Sequence, residues 1–208
     1  MRHRGRSRIS RPNDLVGDST SEGMANFIHI DDYDPAAFVG FDGSQVVVTH
    51  RLVLFWKPPG PFGQWTPSPF EIRGVTYNCA EQYMMAEKAR LFEDTLTEAR
   101  IMASGRPREQ RKLGRRVAGF VAEQWEAERC RIVFEGNVAK FTQDLELKEA
   151  LLATGERTLV EASPMDRIWG IGFAANAEEA HDPKQWNGLN LLGEVLMEVR
   201  DHVAAGGL

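Results

Sequence analysis

The chain has 208 residues, a net charge of −5 at pH 7 and two cysteines. No apolar run approaches the ~18 residues of a membrane span. These values exclude a disulfide-stapled scaffold and a spanning helix, and they weigh against a dedicated nucleic-acid binder, which needs a basic face to neutralise phosphate. The expectation is one folded domain in a reducing, cytoplasmic setting, large enough to bury its own core, with no membrane partner.

Residues 1–23 stand apart: Arg2, Arg4, Arg6, Arg8 and Arg11 crowd a Ser/Gly/Pro-rich run with almost nothing to bury, which predicts a disordered tail. An arm for nucleic acid is the less favoured reading, because no aromatics interleave with the arginines. An over-long gene start, with Met24 as initiator, is another. A domain is expected over 27–205. The turn Phe41-Asp42-Gly43-Ser44 separates apolar runs at 36–41 and 46–56 and predicts a hairpin. Five prolines between 57 and 69 forbid a regular ladder there, so that segment is an ordered loop or nothing, of the kind that lines ligand sites. A second short hairpin fits 70–77, turning at Arg73-Gly74. Helices are predicted over 78–92, 95–103, 108–117, 122–135, 137–141 and 145–153, a strand over 158–161, and a last helix over 190–203. A β-rich front followed by a helical bulk makes the class α+β, mainly α.

Chemistry gathers on the first of these helices. Offsets of three, four and seven place Glu81, Met84, Met85 and Lys88 on one face. A carboxylate and an amine then stand two turns apart, roughly 10 Å, across methionines. That reads as a pocket wall. The same residues also read as a plain helix start, since Asn78 to Glu81 has the form of a capping box. The histidines are scattered and neither Cys79 nor Cys130 has a ligand-spaced partner, so no metal and no cofactor are expected. Gly170-Ile171-Gly172-Phe173-Ala174-Ala175 matches a relaxed dinucleotide fingerprint but lacks a βαβ unit around it. Trp65 and Trp169 can stack a base or sugar, or can simply be core. Asp166 sits with Trp169 in a glycine-flanked turn, where Gly170 lets backbone approach a ligand. Asn190 reads as the N-cap of the last helix, whose free N–H groups can hold phosphate. Lys140 and Arg167 read as further phosphate contacts or as ordinary solvated charges.

Six blocks in order resemble the NADAR (NAD and ADP-ribose associated) superfamily. They are Gly63-Gln64-Trp65, Asn78-Cys79-Ala80-Glu81-Gln82-Tyr83-Met84-Met85-Ala86-Glu87-Lys88, Glu135-Gly136-Asn137-Val138-Ala139-Lys140-Phe141, Leu151-Leu152-Ala153-Thr154-Gly155, Asp166-Arg167-Ile168-Trp169-Gly170-Ile171-Gly172 and Gly188-Leu189-Asn190-Leu191-Leu192-Gly193. The resemblance spans roughly 55–203. It implies a compact, mostly helical α+β domain that hydrolyses a ribosyl C–N bond without metal. YbiA-type members act on riboflavin-pathway intermediates and others remove ADP-ribose from guanine. The implied partner is therefore a small nucleotide-like substrate, a ribose phosphate or ADP-ribose conjugate. By position, Glu81, Lys88 and Trp169 match the family's motif residues and Asp166 aligns; Glu81, Lys88 and Asp166 are taken as the catalytic set, and Trp65, Tyr83, Lys140, Trp169, Gly170 and Asn190 as the expected substrate contacts. The chain departs at Ile171, where the YbiA-type turn holds an acid.

Two routes fit. Glu81 stabilises a ribosyl cation or activates water while Asp166 orients a ribose hydroxyl, or Lys88 forms a Schiff base on the opened ribose with Glu81 moving protons. The second requires Lys88 to have the more abnormal pKa, by desolvation. A sensor that binds NAD or ADP-ribose without turnover is the alternative outside enzymology.

Overall fold

The computed structural model describes residues 26–207; the arginine-rich segment 1–23 lies outside them. Strands β1 (Phe27–His29), β2 (Val46–Val48), β3 (Leu52–Phe55) and β6 (Thr158–Glu161) form one sheet in the order β1-β2-β3-β6, and β4 (Phe70–Ile72) and β5 (Val75–Tyr77) form a separate hairpin. Between β5 and β6 run helices α1 (Ala80–Leu91), α2 (Thr95–Met102), α3 (Pro107–Gly114), α4 (Ala122–Gln143) and α5 (Leu145–Leu152); α6 (Leu191–Ala204) closes the chain. The α+β, mainly α class holds. No helix among the described residues is long and apolar enough to cross a membrane.

The sheet is covered on both faces. Val53 and Phe55 of β3 point into the helical core with Leu159 of β6, whereas Leu52 and Leu54 point the other way with Val160, against Phe38 and Ile171. This is the two-residue period of a strand, and burial on both sides explains why Leu-Val-Leu-Phe reads as an unbroken apolar run. Strand β6 lies parallel to β3, with Phe55 opposite Glu161. The chain therefore leaves both strands at the same end of the sheet, and the two segments that follow them meet there.

Several boundaries differ from the sequence expectation. The 36–41 run is not a hairpin arm. Asp34 caps a 3-10 turn at Pro35–Phe38, and the hairpin partner of β2 is β3, antiparallel. The second hairpin forms as expected, with Arg73 (φ 52°) and Gly74 (φ 78°) both left-handed, the requirement of a tight two-residue turn. Helix α4 is continuous through Gly136, where two helices were expected. A side chain at Gly136 would put its Cβ 2.5 Å from Cδ1 of Tyr83 on α1, so the glycine permits close helix crossing. It does not break the helix. The capping box is also displaced: Cys79 is the N-cap of α1, and Gln82 Oε1, not Glu81, reaches back to accept from Asn78 N–H at 2.8 Å.

Gly136→Ala should therefore lower stability by about 1–3 kcal/mol through overpacking. That corresponds to a fall of several degrees in Tm for a chain of this size, read by calorimetry.

Candidate active site

The site is assembled where β3 and β6 end. After β3 the proline-rich segment turns back over α1 and α4. Its conformation is fixed from below by Lys140, whose side chain is 1 % exposed and whose Nζ donates to Pro61 O (2.7 Å) and Gly63 O (3.0 Å). Burial pushes this amine down to about 7. The loop then places Gln64 and Trp65 at the start of α1. Gln64 O accepts from Glu81 N–H at 3.0 Å, its Nε2 donates to Asn137 Oδ1, and Trp65 Nε1–H donates to Glu81 Oε2 at 3.1 Å.

Glu81 is 3 % exposed, and its second oxygen, Oε1, is buried without a partner. Desolvation is the main reason its carboxyl is pushed up to about 7. Arg111 and the Trp65 N–H pull in the other direction, and Asp166 adds to the rise. An unpaired carboxylate oxygen in an enclosed site is costly unless something binds it.

After β6 comes the turn of Asp166. Its Oδ1 accepts from Ile168 and Trp169 N–H, both at 2.9 Å, and its Oδ2 pairs with Arg111 of α3 at 3.1 Å. The turn is packed tightly on the strand: a Cβ at Gly170 would come 2.7 Å from Glu161 O. Gly170 thus serves a close backbone approach as expected, but the approaching backbone is the protein's own. Trp169 is half-buried against the helical core.

The structure thus brings together Glu81, Trp65 and Asp166. Lys88 lies two turns further along α1, half-buried, with Nζ 4.2 Å from the Phe120 ring centroid and 5.2 Å from that of Trp125. Burial and then Arg115 lower its pKa, in the direction expected. The carboxyl of Glu81 is the more strongly displaced of the two, contrary to the expectation that the amine would be the more abnormal.

Three expected contacts are corrected. Tyr83, two residues from Glu81, points to the opposite side of α1, where its hydroxyl donates to Glu135 Oε2 at 3.0 Å. Lys140 holds the loop rather than a surface phosphate. Asn190 uses its side chain to accept from Glu161 N–H and donate to Leu159 O, both at 2.9 Å. The N–H groups of Asn190, Leu191 and Leu192 all go to carbonyls of the Trp169 turn, so these three are not free to hold an anion.

Two residues of the site escaped the sequence reading. Arg111 looked like one more charge on an amphipathic helix. Glu161 was simply the last residue of the strand expected over 158–161, yet its Oε2 is enclosed and unpartnered, although the residue as a whole is only half-buried. Burial, then the charges of Asp166 and Glu81, push its carboxyl up to about 8. The available signal was its place as the last residue of a strand, since side chains at the carboxyl ends of parallel strands face the crevice outside a sheet. Among the described residues no group of three or more His, Cys, Asp or Glu side chains is placed to hold a metal ion.

This fold and these residues define a NADAR-domain protein. The NADAR domain model matches residues 54–204, and the chain belongs to that family. It is 44% identical over 145 residues to an N-glycosidase of Acanthamoeba polyphaga mimivirus, covering 67% of this chain and 85% of that one. It is 30% identical over 163 residues to N-glycosidase YbiA of Escherichia coli, covering 77% and 93% respectively. The NMR structure of E. coli YbiA superimposes with a TM-score of 0.63 at 28% identity, over 77% of this chain and 89% of that one.

Removing the Trp65 donor to the Glu81 carboxyl tests the electrostatics. Trp65→Phe should push the Glu81 carboxyl further up, because the N–H favours its ionised form; carboxyl-carbon NMR titration measures the direction.

Proposed function

We propose that this protein is an N-glycosidase, a hydrolase cleaving the C–N bond between a ribosyl group and a base in a ribose-phosphate or ADP-ribose conjugate. The observation that carries the reading is the Glu81 carboxylate, enclosed, held on one oxygen by Trp65 and open on the other. Such a group is placed to stabilise positive charge developing at an anomeric carbon in a site where water cannot screen it. The activity named for the mimivirus and E. coli relatives supports the same class. Asp166 is already committed to backbone N–H groups and Arg111, which suits it to orient a ribose hydroxyl rather than to exchange protons. Arg111 of α3 and Arg115, which caps it, act on Glu81, and Arg115 also acts on Lys88, a group of cations suited to the phosphates of the substrate. A cytoplasmic setting is part of this reading, in keeping with Cys79 and Cys130 as free thiols.

The proposed role sets a pH dependence. Glu81 acts ionised, so the rate rises with pH through about 7 as its proton leaves, and an acid-side limb appears in kcat. The decisive assay is release of free base from the riboflavin-pathway aminopyrimidine ribose phosphate, ADP-ribosylated guanine nucleotide and NAD. Wild-type protein should release base from at least one of them. Glu81→Gln should lower kcat by about 10²–10⁴-fold while calorimetry still detects ligand binding. Binding by the wild type with no release from any of the three would make it a sensor instead.

Lys88 decides between the two routes to the cation. Its lowered pKa and half-buried position suit an amine nucleophile. Borohydride added during turnover should then reduce an imine at Lys88, seen as a substrate-sized mass increase on that residue. If the adduct does not form, Glu81 acts on the closed ring without it.

A further inference from the structure

We propose that Glu161 is the proton donor of this site, delivering its proton to the departing base nitrogen and recovering one from water. The inference rests on the N-glycosidase reading above and adds a residue to it. The backbone of Glu161 is fixed on all sides: its N–H donates to Asn190 Oδ1 at 2.9 Å, and its carbonyl accepts from Ser163 N–H at 2.9 Å and Ile171 N–H at 3.0 Å. Among the described residues no hydrogen bond holds its carboxyl, and Oε2 is buried without a partner. Glu81, 3 % exposed, presents its own unpartnered Oε1. The Glu161 carboxyl feels the charge of Glu81, and both carboxyls feel that of Asp166. A protein that holds a backbone this firmly and leaves two enclosed carboxyl oxygens open has left them for a ligand.

The two carboxyls differ in ways that divide the work. Three charged groups face Glu161: Glu81 from α1, Asp166 from the following turn and Arg111 from α3. Two of them repel a negative charge there, and no donor compensates. Glu81 instead receives the Trp65 N–H. Two groups pushed apart by their surroundings in this way form an acid and an anion at one pH. Near neutrality Glu161 keeps its proton longer, with loss at about 8.

The step balances. As the anomeric C–N bond breaks, its electron pair goes to nitrogen, which takes the proton of the Glu161 carboxyl, while Glu81 faces the ribosyl cation. Water then bonds to the anomeric carbon and gives a proton to the Glu161 carboxylate. One water is consumed, and free base, ribosyl hydroxyl and protonated Glu161 result.

The test compares wild type, Glu161→Gln and Glu161→Asp on whichever conjugate the wild type cleaves, with kcat followed from pH 5.5 to 9.5 and ligand binding measured alongside. The expected result is an alkaline fall in wild-type kcat, at least a hundredfold loss in Glu161→Gln together with that fall, unchanged binding within about threefold, and partial activity with the alkaline fall retained in Glu161→Asp. Glu161→Gln activity within threefold of wild type, or the same alkaline fall persisting in it, overturns the proposal. So does equal loss in the Gln and Asp variants, the signature of a purely structural carboxylate, and this outcome counts even if either variant proves less stable. Absence of base release by the wild type itself overturns the N-glycosidase reading, and this proposal with it.

Discussion

The buried ammonium of Lys140 is the contact on which the site depends. A proline-rich segment forms few hydrogen bonds of its own, and prolines remove the donors that would tie it into a sheet. Here an amine rising from α4 takes two of its carbonyls, and the cost of burying that amine is recorded in its lowered pKa. With Pro61 and Gly63 held, Gln64 and Trp65 have one place to go, and Trp65 arrives with its N–H on Glu81. A residue with almost no exposed surface thus positions the donor that the Glu81 carboxylate receives.

The other wall is held by a different device. Turn 166–170 is sandwiched between β6 and the start of α6, and the first N–H groups of α6 go to its carbonyls. A helix beginning usually needs side-chain caps or water for those groups. Asn190, left-handed at φ 52°, is free to stitch β6 instead. The result is a turn with almost no freedom to shift, carrying Asp166 at one end and lying against the backbone of Glu161.

Much of this was legible in the sequence, and the exceptions share a cause. Element types followed from hydrophobic runs and from glycine and proline positions. The place of Glu81, Trp65 and Asp166 in one site followed from family motifs. The errors arose wherever tertiary contact decided. Gly136 looks like a helix end when the crossing α1 is unknown. Tyr83 and Glu81, two residues apart, look like neighbours in a motif but face opposite sides of a helix. Lys140 and Asn190 carry polar groups that sequence reading assigns to a ligand, because the backbone partners they satisfy lie 77 and 31 residues away. Glu161 was invisible for the converse reason: nothing in Thr-Leu-Val-Glu shows that the strand's end is roofed over.

The unpaired oxygens of Glu81 and Glu161 set this molecule's durability against its purpose. Enclosed acceptors with no donor weaken a fold, whereas the neutral or apolar residues that could replace them would remove the penalty. Selection for heat resistance alone would therefore drift toward substitutions at 81 and 161. A sequence that carries both acids carries that penalty at two positions of one sheet end.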